Sequence, residues 1–164
     1  MEPVEALSTA AQLALALAGF AGVVVVFRSS AVHEWAPMDK LRLRLLLSNS
    51  VFPLALCLLA MWLLSVKPPP EWIWRGCSGL SVAFFFPFGV FTAKAMRAVP
   101  RDDLRMGGSF KLVFYPVGML GAAVIVLQIY NLIVLNVFWA FFALIVFQLL
   151  AGTFQFVRLI ILAS

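Results

Sequence analysis

The chain has 164 residues, of which 64% are hydrophobic and only 12% are charged. A soluble domain carries roughly 25% charged residues, and a small domain leaves much of its surface in water. This composition therefore excludes an ordinary soluble fold and indicates that lipid surrounds most of the chain. The net charge of +5 does not indicate nucleic-acid binding, because the basic residues lie at the ends of apolar segments rather than on a polar face.

Five apolar segments approach or exceed the roughly 20 helical residues needed to cross a bilayer. In chain order they cover residues 7–27, 43–66, 73–93, 112–130 and 138–162. The last two are joined only by an almost uncharged link, which must turn back because one continuous helix would be roughly 75 Å long. Asn131 and Asn136 are the best turn formers in that link. We therefore expect residues 1–164 to form a single all-α domain, an integral membrane bundle of five transmembrane helices.

Basic residues are distributed unequally between the two sides of this predicted bundle. Ten of the twelve Lys and Arg residues fall in the first loop, in the third loop or near the end of the fifth span, and only Lys67 and Arg75 fall on the other side. Loops rich in Lys and Arg stay in the cytoplasm. The sequence therefore predicts an external N-terminus and a cytoplasmic C-terminus.

The aromatic residues provide an independent test of this orientation. Trp and Tyr collect at membrane interfaces, because their rings are apolar and their N–H or O–H groups need polar partners. Five of them fall at the span ends predicted to face outward: Trp62, Trp72, Trp74, Tyr130 and Trp139. The distribution of aromatic residues agrees with that of the basic residues.

Residues that could support catalysis or bind a metal are sparse. The single His, His33, has no second metal ligand nearby in sequence other than Glu34, and Cys57 and Cys77 fall in apolar segments typical of buried small hydrophobic residues. No Asp or Glu falls inside a predicted span, although proton-coupled carriers commonly use intramembrane carboxylates. We expect no enzyme activity, no cofactor and no bound metal.

The fifth span carries the most suggestive polar pattern. Gln148, Gly152, Gln155 and Arg158 are spaced by four, three and three residues, which keeps them broadly on one helical face. Polar groups at the depth of Gln148 almost always face the protein interior or a water-filled cavity. These side chains are candidates for lining a pore or vestibule; alternatively, the two Gln side chains join neighbouring helices by hydrogen bonds.

The second span carries a polar group followed by a proline. Ser48 and Asn49 precede Pro53, whose missing N–H would free a backbone carbonyl near Asn49. Transporters present backbone groups to solutes through interrupted helices of this kind. We therefore add Ser48 and Asn49 to the candidate pore-lining residues. The alternative is a proline-kinked helix that packs in the bundle without a functional role.

Small residues in the first span form a candidate packing face. Ala14, Ala18 and Gly22 are four residues apart, and such small-xxx-small patterns let helix backbones approach closely within lipid. Gly152 of the fifth span is assigned to helix packing for the same reason. The pattern is compatible with packing inside one chain and with self-association of several chains.

Several short motifs resemble those of small multi-pass inner-membrane proteins of bacteria that carry no assigned function. The motifs are the run 18–22 followed by a Val-rich stretch and Arg28, then Trp35, Asp39 and the run 42–44, and finally the run 155–159. The resemblance covers a quarter of the chain. It implies a bacterial inner membrane location and adds no activity and no functional residue.

Together these features favour a small channel-like membrane protein, a homo-oligomer that passes ions or a small solute. The basic inner face would favour anions, because it raises their local concentration. The alternative function is a non-catalytic accessory or assembly subunit that packs against a larger membrane protein complex. In either case the lipid bilayer is the expected environment, and no nucleic-acid partner is expected.

Overall fold

The computed structural model describes residues 2–27, 32–35, 37–66, 70–97 and 110–161. The structure is all-helical. Its five long helices are α1 (Pro3–Phe27), α2 (Pro37–Val66), α3 (Pro70–Arg97), α4 (Phe110–Tyr130) and α5 (Phe138–Ile161). A 3₁₀ turn (Val32–Glu34) precedes α2, and a π-helical turn (Asn131–Leu135) follows α4. All five helices are long and apolar enough to span a membrane, which confirms the predicted number of helices, while the side that each terminus faces stays a prediction.

The helices extend beyond several of the predicted apolar segments. Helix α2 begins at Pro37 rather than at residue 43, and α3 continues to Arg97. Proline is favoured in the first helical turn, and Asp39 in that turn complements the helix dipole. Charged residues such as these are compatible with helix, although they are excluded from the hydrocarbon, so a helix can be longer than its apolar span.

Antiparallel packing places the basic ends of three helices together. Arg44 near the start of α2 lies against Phe91 near the end of α3, with its guanidinium carbon 4.3 Å from the ring centroid. Arg158 near the end of α5 is close enough to Arg42 for the two charges to interact. We call this end of the bundle, which bears Arg44, Lys94 and Arg158, the basic end. Helix α2 packs most extensively, against α1 on one side and α5 on the other.

Two clusters of buried side chains form the core. The smaller cluster lies at the basic end, where the buried ring of Trp35 packs with Ala21, Leu46 and Leu159, so the segment before α2 closes the space between α1, α2 and α5. The larger cluster includes Leu7, Leu56, Cys57, Cys77, Phe85, Phe141, Leu144 and Ile145. It fills the bundle toward the opposite end, where the tilted rings of Trp74 and Phe138 lie 5.0 Å apart between centroids.

A buried hydrogen-bond network holds the turn between α4 and α5. Asn131 accepts a bond from the backbone N–H of Val137 (2.9 Å) and donates to the hydroxyl of Ser78 in α3 (2.8 Å), which in turn donates to Gln128 (2.9 Å). Asn136 then takes the left-handed conformation, with φ of 51°. The predicted reversal at Asn131 and Asn136 is therefore confirmed, since side-chain bonds satisfy backbone groups that the turn leaves unpaired.

Candidate functional site

A cavity of about 410 Å³ lies between α2, α3, α4 and α5, in the half of the bundle nearest the basic end. Its walls are mostly aromatic and aliphatic. They include Phe85, Phe88, Val117, Ile125, Leu144, Phe147 and Phe154. The volume lies in the range of roughly 300–1,000 Å³ that is typical of small-molecule sites.

Three of the five residues predicted to line a pore share this cavity. Asn49 contributes from α2, and Gln155 and Arg158 contribute from α5. They lie beside one another because α2 and α5 pack antiparallel along their length. Ser48 is half-buried and Gln148 is fully buried, and neither of them lines the cavity.

Gln155 presents an unsatisfied polar atom at this site. Its side chain is 8% exposed, and its carbonyl oxygen Oε1 has no hydrogen-bond partner among the residues that the structure describes. A buried carbonyl that lacks a donor is unfavourable by roughly 1–3 kcal/mol. A ligand or an ordered water that donates to Oε1 would remove this penalty.

Gln148 makes none of the hydrogen bonds to neighbouring helices, among the described residues, that the alternative role would require. Its side chain is 0% exposed, and within the described part of the chain neither Oε1 nor Nε2 has a partner. Gln128, by contrast, is 1% exposed but accepts from Ser78 and donates to the carbonyl of Ala140 at 2.7 Å. The polar link therefore forms at Gln128, and Gln148 retains two buried polar atoms available for water or a solute.

The backbone of α2 is also unusual at this level. Pro53 lies inside the helix and is fully buried, and a proline cannot donate to the carbonyl four residues earlier, which is that of Asn49. A Cβ placed on Gly152 of α5 would lie 3.5 Å from that carbonyl oxygen. The side-chain amide of Asn49 donates to the carbonyl of Leu45 at 2.9 Å. The backbone carbonyl of Asn49, which lacks its helical donor, faces Gly152 of α5, between Gln148 and Gln155.

Positive charge predominates where the cavity approaches the basic end. Arg42 is 5% exposed and pairs with Asp39 at 3.0 Å, while Arg158 lies within electrostatic reach of Arg42. The guanidinium of Arg158 also lies 5.6 Å from the ring centroid of Phe154. Among the described residues at this end, the basic side chains of Arg42, Arg44, Lys94 and Arg158 outnumber the carboxylates of Glu34 and Asp39, so the potential favours an anion.

The small residues of α1 occupy different environments. Ala14 is fully buried and Ala18 is half-buried. Gly22 is exposed, and a Cβ built on it would meet none of the described atoms within 4 Å. Gly152 lies directly against Asn49 and also within 3.5 Å of Leu17 when its Cβ is built, so the close approach of α5 to α1 and α2 occurs there.

A second, apolar groove of about 370 Å³ lies between α1 and α5, on the face away from α3 and α4. Exposed Leu13, Phe20 and Leu150 contribute to its walls. Thr9 and Thr153 also line it, and each bonds to a carbonyl of its own helix. The groove is suited to an apolar helix or to lipid.

The sequence did not indicate the walls that α3 and α4 contribute to the cavity. Phe86 and Val90 of α3, and Gly118 and Ala122 of α4, line it although they are exposed. Apolar residues on two such helices look alike whether they face lipid or a cavity. Only the packing of α3 and α4 around the cavity, which is a property of the tertiary structure, distinguishes these two environments.

Compared with protein-family models, with curated protein sequences and with solved structures, the chain matches none. Within residues 2–27, 32–35, 37–66, 70–97 and 110–161, no group of three or more His, Cys, Asp or Glu side chains could hold a metal ion. The geometry of the cavity is therefore the basis for the functional assignment.

Proposed function

We propose that the protein is a small channel-like membrane protein that passes an anion or a small solute, with the cavity as its cytoplasmic vestibule. The observation that carries this proposal is that Asn49, Gln155 and Arg158 line one cavity beside the basic end. Intramembrane polar groups that share a cavity mark solute pathways. The membrane is proposed to be the bacterial inner membrane, with the basic end cytoplasmic by the charge rule.

The remainder of the proposed path is closed in this structure. Phe85 and Leu144 line the cavity and also belong to the core cluster that fills the bundle toward the opposite end. Gln148 and the freed carbonyl of Asn49 lie along the α2–α5 contact and would provide polar partners for a solute that moves past this level. Opening then requires α3 or α4 to shift relative to the α2–α5 pair.

Flux into liposomes made with pure protein tests this proposal. Chloride uptake is measured with an encapsulated chloride-sensitive dye, and potassium uptake is measured in parallel. The variants Gln155→Leu and Arg158→Gln should lower chloride flux, and Arg158→Gln should also lower the preference for chloride over potassium, because the vestibule loses positive charge.

Thr153→Val is the matched control, because Thr153 lies on α5 two residues before Gln155 but lines the other groove. Its flux should equal that of the unmodified protein. If the unmodified protein passes neither ion, or if all three variants conduct equally, the vestibule does not carry these ions.

The alternative function is an accessory or assembly subunit, and the apolar groove between α1 and α5 favours it. The exposed residues of this groove, together with Gly22, would dock a transmembrane helix of a larger complex. Native mass spectrometry separates the two functions. A stable homo-oligomer supports the channel, and a monomer that co-purifies with unrelated membrane proteins supports the subunit.

A further inference from the structure

The cavity between α2, α3, α4 and α5 combines an apolar chamber with one polar, cationic wall. Five phenylalanines form much of the chamber, namely Phe85, Phe86, Phe88, Phe147 and Phe154. Gln155 and Arg158 lie together on the α5 side, with Arg158 nearer the basic end. Such a site is matched to an amphipathic ligand rather than to a fully hydrated one.

The cavity also opens sideways. Its α3 and α4 walls include residues that are exposed, among them Phe86 at 61% and Val90 at 42%. Gly118 and Ala122 on α4 are exposed as well. An opening between two membrane-spanning helices leads into the hydrocarbon region, so acyl chains have direct access to the chamber.

Water is a poor occupant of the apolar part of this chamber. A stable internal water needs two to four polar partners, and the phenylalanine walls supply none. An empty chamber of this size would deprive its walls of dispersion contacts. Lipid tails are as apolar as the walls, so no hydrophobic force drives an acyl chain into the chamber. Entry is favoured instead by the dispersion contacts that the chain makes when it fills this volume.

The polar wall determines which lipid fits best. Leu43 and Leu159, which adjoin Arg42 and Arg158 in sequence, pack in one buried cluster, and Arg44 is also at this end, so an anionic phosphate would be attracted there. Gln155, about one helical turn deeper, has a buried carbonyl without a donor among the described residues. A hydroxyl-bearing head group, or water carried with it, would supply that donor.

We infer that the cavity binds one anionic phospholipid of the leaflet at the basic end, with an acyl chain in the chamber and the phosphate beside Arg158. The inference goes beyond conduction, because lipid binding does not depend on whether the protein passes a solute. If the protein does conduct, a seated chain would occupy the proposed vestibule and hold it closed.

The test uses vesicles that contain phosphatidylglycerol with a photoreactive diazirine on one acyl chain. After illumination, cross-linked sites are mapped by peptide mass spectrometry. Adducts are expected on the walls around Phe147 and Phe154. Phosphatidylcholine with the same chain should give fewer adducts there, and Arg158→Gln should weaken the preference for phosphatidylglycerol by about fivefold, as expected for one cationic side chain near anionic lipid.

Two control variants accompany these measurements. Lys94→Gln removes an exposed charge at the basic end that does not line the cavity, so it should leave the lipid preference almost unchanged. Gly89→Leu combined with Gly118→Leu should reduce adducts on the cavity walls, because a Cβ at either glycine meets nothing within 4 Å and the side chains can fill the mouth. Gly76→Leu, at an equally open glycine of α3 outside the cavity, should leave labelling intact.

Three results would overturn the inference. These are adducts confined to the outward-facing surfaces of α1 and α2, equal labelling by the two lipids, or loss of wall labelling on addition of inorganic phosphate, which would identify a soluble anion as the occupant. Circular dichroism of each variant confirms that the helices are intact. Because labelling needs no flux, a protein that binds lipid but does not conduct would refute the channel proposal alone.

Discussion

Gly152 of α5 lies against Asn49 of α2, so that a Cβ on the glycine would be 3.5 Å from both the Cβ and the carbonyl oxygen of the asparagine. This contact brings the backbone of α5 against a carbonyl that Pro53 leaves without its helical donor. It places the Asn49 carbonyl between Gln148 and Gln155, which lie roughly one turn to either side of Gly152 along α5.

Gly152→Leu is expected to destabilise the bundle, whereas Gly152→Ala is expected to be tolerated. A methyl group at 3.5 Å is an ordinary van der Waals contact, but a larger side chain must push α2 and α5 apart, which costs about 1–3 kcal/mol. Unfolding of the purified protein in mixed micelles measures the difference. Gly22→Leu is the control, since a Cβ there meets no described atom within 4 Å. Equal stability of G152L and G22L would show that the close contact at Gly152 does not determine the stability of the bundle.

Gln148→Leu and Gln128→Leu form a matched pair, since both side chains are almost completely buried, at 0% and 1% exposed. Gln148→Leu should leave stability unchanged or raise it by about 0.5–2 kcal/mol, because an amide without partners is replaced by an apolar group of similar size. Gln128→Leu should lower it by about 1–3 kcal/mol, because the change leaves buried partners unpaired. A loss of stability in Gln148→Leu equal to that in Gln128→Leu would identify Gln148 as a structural link.

The same Gln148→Leu protein tests the proposed path. Its conductance in liposomes should change while insertion and folding do not, because the substitution removes a polar partner along the α2–α5 contact. A folded variant with unchanged conductance would remove Gln148 from the pathway. Stabilisation accompanied by lost conductance is the pattern expected when a residue is retained for function at the expense of stability.

Asn131→Ala is expected to loosen the turn between α4 and α5. Asn131 accepts from Val137, donates to its carbonyl and donates to Ser78, so alanine leaves several buried groups without partners. Single side-chain bonds in membrane proteins contribute about 0.6 kcal/mol on average. With three bonds removed, the loss should be about 1–3 kcal/mol, measured by reversible unfolding in micelles.

Asn136→Gly is the control for that variant. Its φ of 51° is a conformation that glycine adopts without steric penalty, so the turn should keep its stability. If Asn136→Gly and Asn131→Ala are equally destabilised, the backbone conformation rather than the network maintains the turn.

Asp39 and Arg158 are expected to be coupled through Arg42. Asp39→Asn removes the 3.0 Å ion pair of a guanidinium that is 5% exposed, so it should destabilise by about 3–5 kcal/mol. In an Arg158→Gln background, Asp39→Asn should lower the free energy of unfolding by a smaller amount, with a coupling energy of about 0.5–3 kcal/mol. A double-mutant cycle on unfolding free energies measures this. Asp39→Asn combined with Lys94→Gln should instead be additive, and strict additivity in both pairs would exclude the coupling.

Composition and periodicity were sufficient to predict the five helices and the turn at Asn131 and Asn136. Each of these depends on local chemistry, namely the length of apolar runs and turn-forming asparagines. The polar face of α5 was also visible, because three- and four-residue spacing reports directly on a helix. In contrast, the partners of each polar residue could not be predicted. Gln128 and Gln148 are the same residue type in similar apolar segments, yet one is fully bonded and the other has no bonds among the described residues.

The sequence by itself determined that this chain forms five long apolar helices, since hydrophobic length and charge placement depend only on neighbouring residues. The tertiary structure decided that Asn49, Gln155 and Arg158 meet at one cavity whereas Ser48 and Gln148 lie outside it. It also decided that Phe86 of α3 and Gly118 of α4 line this cavity although both are exposed. The physical reason is that helix packing within lipid depends on close surface fit rather than on hydrophobicity, and surface fit is a property of pairs of helices.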